Sequence, residues 1–598
     1  MVREIGSYDR GSDLQSMYLH TLPNEVARKN ILQEDKVRLL GSVYTPPDFA
    51  QFLSSWAIRH SEDKILDIGI GEGVFTFAAY DHLISLGASH EDAQQQVFGA
   101  EIDVATYIRF QEIAQNKNIH FDNLKHADFF ETDFPLVDAI IGNPPYVRRT
   151  YIEDIDVIRQ RVVTNNLLVS ELNLSRMTDM YIYFLLHALP LLKPSGRLAV
   201  ITADSWMNAS YGEEFKKYLQ CYFNIERLIT LDQRVFLNAQ VKPVFILATK
   251  KEHPNFDRPT QFVRVKNGMS IRRVQESLST PPIKHADIAY TEVKSSGLEA
   301  FTPWGIHFKA PEIYEELESH RFMNHMIHVA ETRIGLQTLA KDFFVFSSER
   351  MSTSHVEPEF LEPLAQSTRY FKEPVIDLST QPPFYLFVCP RDKEALQGTH
   401  ALEHITWGET TTVEVRGKHT QRVGYHNKER IKRTSRLHWY DLGTSLERRG
   451  RASILIPRLV YRNFTVLWNQ ANFVPGELFI EFLPPPGIDV EVYLALLNSS
   501  LSEFMLRTHA QVYGGGTFNI NPGKIKNVPI VNPALLVDQQ RADLKQAYVQ
   551  YLADEHHSRA VIDTLLYEIL GINASRQEKI HEILADLIML AVSSKKSS

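Results

Sequence analysis

The sequence predicts an α/β domain built on a doubly wound, mostly parallel sheet, followed by a mixed α+β region. Over residues 41–250, short apolar segments typical of buried strands alternate with helical segments. Beyond residue 250 the alternation stops, and short strand-like runs are separated by many Pro and Gly turns. We therefore expect an N-terminal segment over 1–40, the α/β domain over 41–250, a mixed domain over 251–535 and a helical segment with a tail over 536–598.

The elements of the α/β domain follow one another in a regular order. A first helix is predicted in YTPPDFAQFLSSWAIRH, where Thr45 can cap the helix and two prolines suit its first turn. The expected strands are KILDIG, QVFGAEID, VDAIIG, GRLAVITAD, IERLITLD and KPVFILATK, and the expected helices are GVFTFAAYDHLISLG, ATYIRFQEIAQNK, MYIYFLLHALPLLKPSG and YGEEFKKYLQCYF. Too few residues separate the last two strands for a helix, so that end of the sheet is expected to be antiparallel.

The composition excludes several classes of protein. A hydrophobic content of 44% and a charged content of 23% are typical of a globular protein. Without a long apolar run or a signal core, the sequence indicates neither membrane insertion nor export, and a cytoplasmic location is expected. Two cysteines are too few for a disulfide framework or a thiolate zinc site, and the 23 histidines have no metal-ligand spacing, so we predict no metal.

The first strand ends in ILDIGIGEG, where an acidic residue precedes three alternate glycines. Gly69, Gly71 and Gly73 would let the backbone approach a ligand closely at the carboxyl end of the strand. No Gly-Lys-Ser/Thr follows, so this is not a phosphate loop. Asp67 would repel a pyrophosphate, but it suits the ammonium group of a cofactor that carries an amino acid.

Acidic residues also follow the next two strands of the predicted sheet. Glu101, at the end of GAEID, is placed to accept hydrogen bonds from a ribose diol. In HADFFETD, Asp128 can accept amino protons from an adenine, and Phe129 offers it an aromatic face. Taken singly, each of these acidic residues would be expected to be a solvated loop carboxylate. Asp67, Glu101 and Asp128 together, each at the end of a strand along one sheet edge, predict a nucleoside-like ligand.

The segment IIGNPPY follows the fourth strand at the same edge, because prolines cannot continue a sheet ladder. The side-chain oxygen of Asn143 and the carbonyl of Pro144 can both accept protons from one exocyclic NH2 group. An amine bound in this way becomes more tetrahedral, so its lone pair leaves the ring and can attack an electrophilic methyl group. Tyr146 offers a ring on which a base swung out of a duplex can stack.

The motif series YTPP, ILDIGIGEG, GAEID, ADFF and IIGNPPY, in this order, resembles that of the gamma-class (Taq-type) adenine-N6 DNA methyltransferases of restriction–modification systems. The resemblance covers most of residues 40–250 and implies a Rossmann-like methyltransferase sheet, followed by a target-recognition domain. It implies S-adenosylmethionine as the cofactor. The cofactor-binding residues that it implies are Thr45, Asp67, Gly69, Gly71, Glu101, Ile102, Asp128, Phe129 and Pro145. Asn143 and Pro144 would bind the target amino group, and Tyr146 and Phe236 would stack on the flipped base.

Double-stranded DNA is the partner that the resemblance implies, and one segment is suited to it. The net charge is −8, yet residues 416–462 hold 13 basic and three acidic residues. By itself this segment fits a solvated basic loop as well as a local contact with a polyanion. Together with the resemblance, it favours the contact. The candidates for phosphate or base contacts are Lys418, Arg422, Lys428, Arg430, Lys432, Arg433 and Arg436. The YGGGT turn at 513–517 would let backbone pass close to a DNA strand, or is a plain surface hairpin.

The arrangement of the chain also bears on its partners. Only about forty residues precede the TPP helix, and no Asp…Glu-x-Lys nuclease pattern stands out, so any cutting activity is expected on a separate cognate endonuclease and the methyltransferase is expected to be a monomer. Four alternatives stay open. The same chemistry suits cytosine N4, an RNA base or a glutamine side chain, and the chain could also be a catalytically silent DNA-binding subunit.

Overall fold

The computed structural model describes residues 45–146, 155–164, 169, 171–175, 178–232, 242–252, 258–265, 288–309, 311–414, 421–512, 517–554 and 556–593. The chain divides into two compact units, residues 1–301 and 302–598. The predicted N-terminal segment, Phe236, Lys418 and residues 513–516 of the YGGGT turn lie outside the described residues. In the part of the chain that is described, no helix has the length and apolar character needed to cross a membrane.

The first unit is built on a nine-stranded sheet. Its strands are β1 (Ile65–Asp67), β2 (Val97–Glu101), β3 (Leu124–His126), β4 (Val137–Gly142), β5 (Leu192–Ala203), β6 (Phe223–Leu231), β7 (Pro243–Lys250), β8 (Thr260–Val265) and β9 (Ile288–Val293). Its helices are α1 (Pro47–Ala57), α2 (Val74–Ser85), α3 (His90–Gln95), α4 (Val104–Asn116), α5 (Ile155–Thr164), α6 (Met180–Ala188), α7 (Ser205–Asn208) and α8 (Glu213–Tyr222).

The strand order is β3-β2-β1-β4-β5-β7-β6-β8-β9. Strands β1 to β5 run parallel to one another, while β7 is antiparallel to both β5 and β6. The predicted doubly wound, mostly parallel sheet is therefore confirmed, and so is its antiparallel end. The carboxyl ends of β1, β2, β3 and β4, after which the candidate site residues follow, meet at one edge.

Two boundaries differ from the prediction. The sheet does not stop at residue 250, because β8 pairs in parallel with β6 and β9 pairs with β8. The predicted domain boundary therefore lies inside the first unit. The long apolar helix also ends early, at Ala188, since a 3-10 turn containing Pro190 follows and β5 already begins at Leu192.

The first helix packs as its apolar spacing predicts. Phe49 and Phe52 of α1 are buried and meet the ring of Phe245 on β7 edge-to-face, with centroids 5.3 and 6.5 Å apart. The residue before the helix is Pro46, and no side chain caps it. Thr45 is therefore not the cap. This packing fixes the start of the helix close to the strand ends that carry the candidate site.

The second unit is a mixed α+β assembly, as predicted. The strands are β10 (Met323–His325), β11 (Glu331–Ile334), β12 (Val345–Ser347), β13 (Leu361–Ala365), β14 (Val375–Ile376), β15 (Phe384–Phe387), β16 (Thr412–Glu414), β17 (Gln421–Val423), β18 (Ile454–Pro457), β19 (Leu459–Val460), β20 (Leu467–Asn469), β21 (Val474–Pro475), β22 (Phe479–Leu483), β23 (Gln511–Val512), β24 (Phe518–Asn519) and β25 (Pro529–Val531). The larger sheets have the strand orders β11-β22-β18-β20-β14 and β12-β15-β13-β21.

Helices cover the sheets of the second unit. They are α9 (Pro311–Glu318), α10 (Lys341–Phe344), α11 (Ser348–Ser354), α12 (His400–Thr410), α13 (Glu429–Lys432), α14 (Gly443–Arg449), α15 (Val490–Leu497), α16 (Ser500–His509), α17 (Asp538–Ala553), α18 (Ala560–Ile569) and α19 (Ala574–Ser593). The last three are helical as predicted but do not form a separate segment. Leu544 and Leu566, for example, belong to the same buried core as Phe482 and Phe504.

Candidate active site

The glycine turn after β1 folds back on the end of β2. Gly69, Gly71 and Gly73 have φ of +152°, +54° and +89°, a region that side chains disfavour, so glycine suits each position. The backbone N–H of Gly71 donates to Oε2 of Glu101 over 3.1 Å. This bond ties the turn to the neighbouring strand and leaves a cradle of backbone at the sheet edge.

Asp67 is a fully buried carboxylate at the bottom of this cradle. Its Oδ2 accepts a hydrogen bond of 2.8 Å from the hydroxyl of Thr76, while its Oδ1 has no partner among the described residues. Burial, helped by the negative charge of Glu101, raises the pKa of Asp67 to about 8. A buried oxygen without a donor is a position where a ligand's ammonium group would be stabilised.

Glu101 and Ile102 stand at the end of β2, beside the glycine turn. Burial raises the pKa of Glu101, although its Oε1 also accepts a hydrogen bond of 2.9 Å from the backbone of Asp103. Ile102 leaves 60% of its surface exposed at the strand end. Both residues thus stand at the carboxyl end of β2, next to the glycine turn, and their contacts with a cofactor stay predictions.

The Asn-Pro-Pro-Tyr loop lies directly beside the glycine turn. A Cβ atom at Gly69 would come within 3.8 Å of the backbone oxygen of Asn143, and one at Gly142 within 3.2 Å of Oδ1 of Asp67. Pro144 is buried and Pro145 half-buried. The structure therefore brings the predicted catalytic loop and the predicted cofactor turn to one place.

The Asn143 side chain is held at both ends by hydroxyl groups. Its Nδ2 donates to Oγ1 of Thr45 over 3.0 Å, and its Oδ1 accepts a hydrogen bond from the hydroxyl of Tyr146. The contact with Thr45 joins residues 98 positions apart, and the sequence alone gave no sign of it. Thr45 thus contacts the side chain of Asn143, while its predicted contact with a cofactor stays a prediction.

The ring of Tyr146 rests on a buried polar network that sequence analysis missed. It meets Tyr181 edge-to-face at 5.8 Å. The hydroxyl of Tyr181 lies 3.0 Å from that of Ser205, and Tyr211 donates to the carboxylate of Asp179 over 2.7 Å. Burial raises the pKa of the Tyr146 phenol well above its usual range, so the hydroxyl stays a neutral donor.

Asp128 and Phe129 depart from their predicted roles in part. Oδ1 of Asp128 accepts a hydrogen bond of 2.9 Å from the backbone of Phe130, because it caps a 3-10 turn. The Phe129 ring is only 3% exposed and stacks on Phe184 with centroids 5.0 Å apart. The turn directs this ring into the core, so its face is already covered and does not offer itself to an adenine.

Two family matches together cover most of the chain. Residues 30–313 match the family described as N-6 DNA Methylase, and residues 299–566 match the C-terminal domain of the Type II methyltransferase M.Eco57I. The first match contains every element of the site described above. Residues 30–313 belong to the N-6 DNA methylase family.

Whole-length relatives agree with this assignment. This N-6 DNA methylase is 21% identical to the Type II methyltransferase M.AccI of Acinetobacter calcoaceticus, over 89% of this chain and 93% of that protein. It is also 21% identical to the Type II methyltransferase M.BstVI of Geobacillus stearothermophilus, over 93% of this chain and 100% of that protein. The predicted resemblance to restriction–modification methyltransferases is confirmed.

One solved structure has a similar fold along most of the chain. It is that of the Type IIL restriction-modification enzyme MmeI in complex with DNA, with a TM-score of 0.54 and 11% identity. The similarity covers 96% of this chain and 77% of that chain. At this identity it supports the fold alone. Within the described part of this N-6 DNA methylase, no three His, Cys, Asp or Glu side chains cluster as a metal site would require.

The candidate DNA-binding residues of the methylase differ in their freedom to reach a ligand. Arg430, Lys432 and Arg433 are exposed around α13. Arg422 is half-buried, and its guanidinium donates to the carbonyl of Asn427 over 2.7 Å. The three exposed side chains are therefore the ones that can reach a phosphate without breaking an existing contact.

Two further candidates are engaged by their own unit. The ammonium of Lys428 lies 4.9 Å from the ring of Tyr425. Arg436 donates to the carbonyls of Trp439 and Thr338 over 3.1 and 3.0 Å, and burial lowers its pKa. The guanidinium of Arg436 is thus a packing element of the second unit, which makes it a poor candidate for a DNA contact.

Proposed function

We propose that this N-6 DNA methylase transfers a methyl group from S-adenosylmethionine to N6 of a flipped adenine within a specific sequence of double-stranded DNA. The observation that carries the proposal is the contact between the two loops. The backbone oxygen of Asn143 lies 3.8 Å from where a Cβ atom would stand at Gly69. A nucleophile held by the first loop and a cofactor held by the second would therefore be neighbours.

The acceptor side of the reaction depends on two oxygens. Oδ1 of Asn143 and the carbonyl of Pro144 would each accept one proton of the target NH2 group, which moves the nitrogen lone pair out of the ring. In the free protein Oδ1 is occupied by the hydroxyl of Tyr146. The entering amino group would take the place of that hydroxyl, and the tyrosine ring would then be available to stack on the base.

The cofactor side fits the residues that surround the glycine turn. S-adenosylmethionine, when bound, supplies an electrophilic methyl group on a sulfonium. Asp67 would hold its ammonium through the unpartnered Oδ1, Glu101 would accept from its ribose, and Ile102 would contact its adenine. The glycine turn leaves room for the backbone to approach it closely, because any side chain would fill the cradle.

No general base is required among the residues of the site. Methylation makes the amino nitrogen cationic, and a proton on such a nitrogen is readily lost to water. The residues of the chain therefore act by alignment: Asn143 and Pro144 set the direction of the lone pair, and Asp67 and Glu101 fix the cofactor relative to it. Alignment of this kind accounts for large rate effects without a catalytic acid or base.

The second unit would supply sequence choice and grip on the DNA. Exposed Arg430, Lys432 and Arg433 would neutralise phosphates, which makes binding steeply dependent on salt. Their contacts hold the duplex while the target base is swung out. In a restriction–modification system the modification protects host DNA, and a cognate endonuclease on a separate chain would cut the unmodified sequence.

The test is to express the protein in a host without adenine methylation and to read that DNA with a method that detects modified bases. We expect N6-methyladenine in one short motif, and none with Asn143→Ala. The Asn143→Ala protein should still bind S-adenosylmethionine, because the residues of the glycine turn are unchanged.

Three outcomes would contradict the proposal. Modified cytosine in place of adenine would transfer the chemistry to cytosine N4. Unmodified DNA together with normal cofactor binding and DNA binding would instead favour a catalytically silent DNA-binding subunit. Methylated bases in RNA, detected by the same method in total RNA and absent from DNA, would make RNA the substrate.

A further inference from the structure

We infer that Thr45 is a positioning residue that sets the orientation of the Asn143 amide during methyl transfer. The inference rests on the proposed function and adds a residue to it. Thr45 lies just before α1, and its side chain is buried, with 5% of its surface exposed. Its hydroxyl oxygen lies 3.0 Å from Nδ2 of Asn143.

An asparagine amide is almost symmetric in shape but not in chemistry. One end accepts hydrogen bonds and the other donates them, and a rotation of the side chain by half a turn exchanges the two ends. In the free protein both ends contact hydroxyl groups, from Thr45 and Tyr146. A hydroxyl group can donate or accept, so these two contacts alone tolerate either orientation of the amide.

The target amino group removes this tolerance. It presents N–H donors, so it can bind the amide only through Oδ1, and it takes the position now held by the hydroxyl of Tyr146. Nδ2 must then point the other way, toward Thr45. If the amide were reversed, its Nδ2 would meet the NH2 group of the base donor to donor. The productive orientation therefore requires an acceptor for Nδ2, which Thr45 supplies.

The position of this acceptor is fixed by its surroundings. Thr45 precedes Pro46, which restricts its backbone to extended conformations. Directly after it, α1 is anchored by Phe49 against the ring of Phe245 at 5.3 Å. The Thr45 hydroxyl therefore holds its place when the loop on the other side of Asn143 accepts a base.

The test uses Thr45→Val, which keeps the side-chain shape but removes the acceptor, and compares it with Thr45→Ser, which keeps the hydroxyl. Because a buried donor without a partner is costly, we expect kcat of Thr45→Val to fall by about ten- to hundredfold. Its dissociation constants for S-adenosylmethionine and for DNA should stay within about twofold of the wild type. Thr45→Ser should recover kcat to within about threefold.

The matched control is Ser54→Ala in α1, the helix that follows Thr45. Ser54 is also buried, and its hydroxyl has no partner among the described residues, so its removal should leave kcat unchanged. If Thr45→Val proves unstable, the pair Thr45→Ala and Thr45→Ser isolates the hydroxyl, since both leave a smaller side chain in the same space. Unfolding midpoints are measured for every variant.

The inference is overturned if Thr45→Val weakens cofactor binding and leaves kcat intact, because Thr45 would then be a cofactor contact only. It is also overturned if Thr45→Ser is as slow as Thr45→Val. The kcat values and dissociation constants of the variants are compared with those of the wild type on the base that the wild type methylates. A cytosine acceptor would therefore refute the proposed adenine specificity and still decide the role of Thr45.

Discussion

Cofactor affinity is expected to rise steeply with pH because of Asp67. Burial raises the pKa of this carboxyl to about 8, so at about pH 6 roughly one free molecule in a hundred carries it in charged form. An ammonium group that binds beside Asp67 requires the charged form. Each pH unit below about 8 should therefore weaken binding about tenfold, or about 1.4 kcal/mol. Above about pH 8 the cofactor's own amino group loses its proton, so affinity should be greatest near that pH.

The measurement is isothermal titration of S-adenosylmethionine between about pH 5.5 and about pH 9, in two buffers with different ionisation enthalpies. At the lower pH values we expect release of about one proton for each cofactor bound. Asp67→Asn should bind weakly at every pH and lose this slope. Asn143→Ala keeps both carboxylates and should retain the slope. A wild-type affinity that is flat between about pH 5.5 and about pH 7.5, or an equal slope in Asp67→Asn, would refute the reasoning.

The same pKa shift has a definite sign for stability. Because the folded pKa of Asp67 lies above its ordinary value of 3.8, the folded state binds a proton that the unfolded state has lost. The protonated Asp67 carboxyl therefore makes its full contribution to the free energy of unfolding below about pH 4. Between about pH 4 and about pH 8 this contribution falls by about 1.4 kcal/mol per pH unit. Asp67→Asn should remove this component from the pH dependence of the unfolding free energy, measured in urea.

Three further predictions concern single side chains. Tyr146→Ala should lower turnover at least about a hundredfold and leave cofactor affinity within about twofold, and steady-state kinetics with equal losses in both would contradict its stacking role. Gly142→Ala should cost about 1–3 kcal/mol in urea unfolding, since its φ is +138°. Arg433→Ala should reduce the salt slope of DNA binding by about one, whereas Arg436→Ala should lower the unfolding midpoint and keep that slope. A salt slope reduced equally by both changes would refute this distinction.

The parts of the site that follow directly from a strand end could be predicted from the sequence. Asp67 and Glu101 each end an apolar strand, and Asn143 directly follows one. The parallel order of a doubly wound sheet brings such ends together whatever the details of packing. The same argument predicted the glycine turn. These positions depend on backbone topology, which local sequence patterns express.

Positions that depend on side-chain packing could not be predicted in this way. The contact between Thr45 and Asn143 spans 98 residues, and the burial of Phe129 depends on Phe184 in a distant helix. The end of the first unit was misplaced for a related reason. Strand β8 joins the sheet by pairing with β6, and β9 by pairing with β8, in a part of the sequence that has no alternation of helix and strand patterns.

The position of β7 between β5 and β6 has a consequence for synthesis of the chain. Strand β6 is synthesised before β7, yet in the sheet β6 pairs with β7 and not with β5. Its link to strands β1 to β5 therefore depends on β7. Until Lys250 has emerged, the open edge of β5 and the apolar face of β6 have no neighbour, and a nascent chain halted there exposes both to aggregation. Translation through β7 is thus the step after which β5, β7 and β6 can pair, and β8 and β9 then extend the sheet from β6.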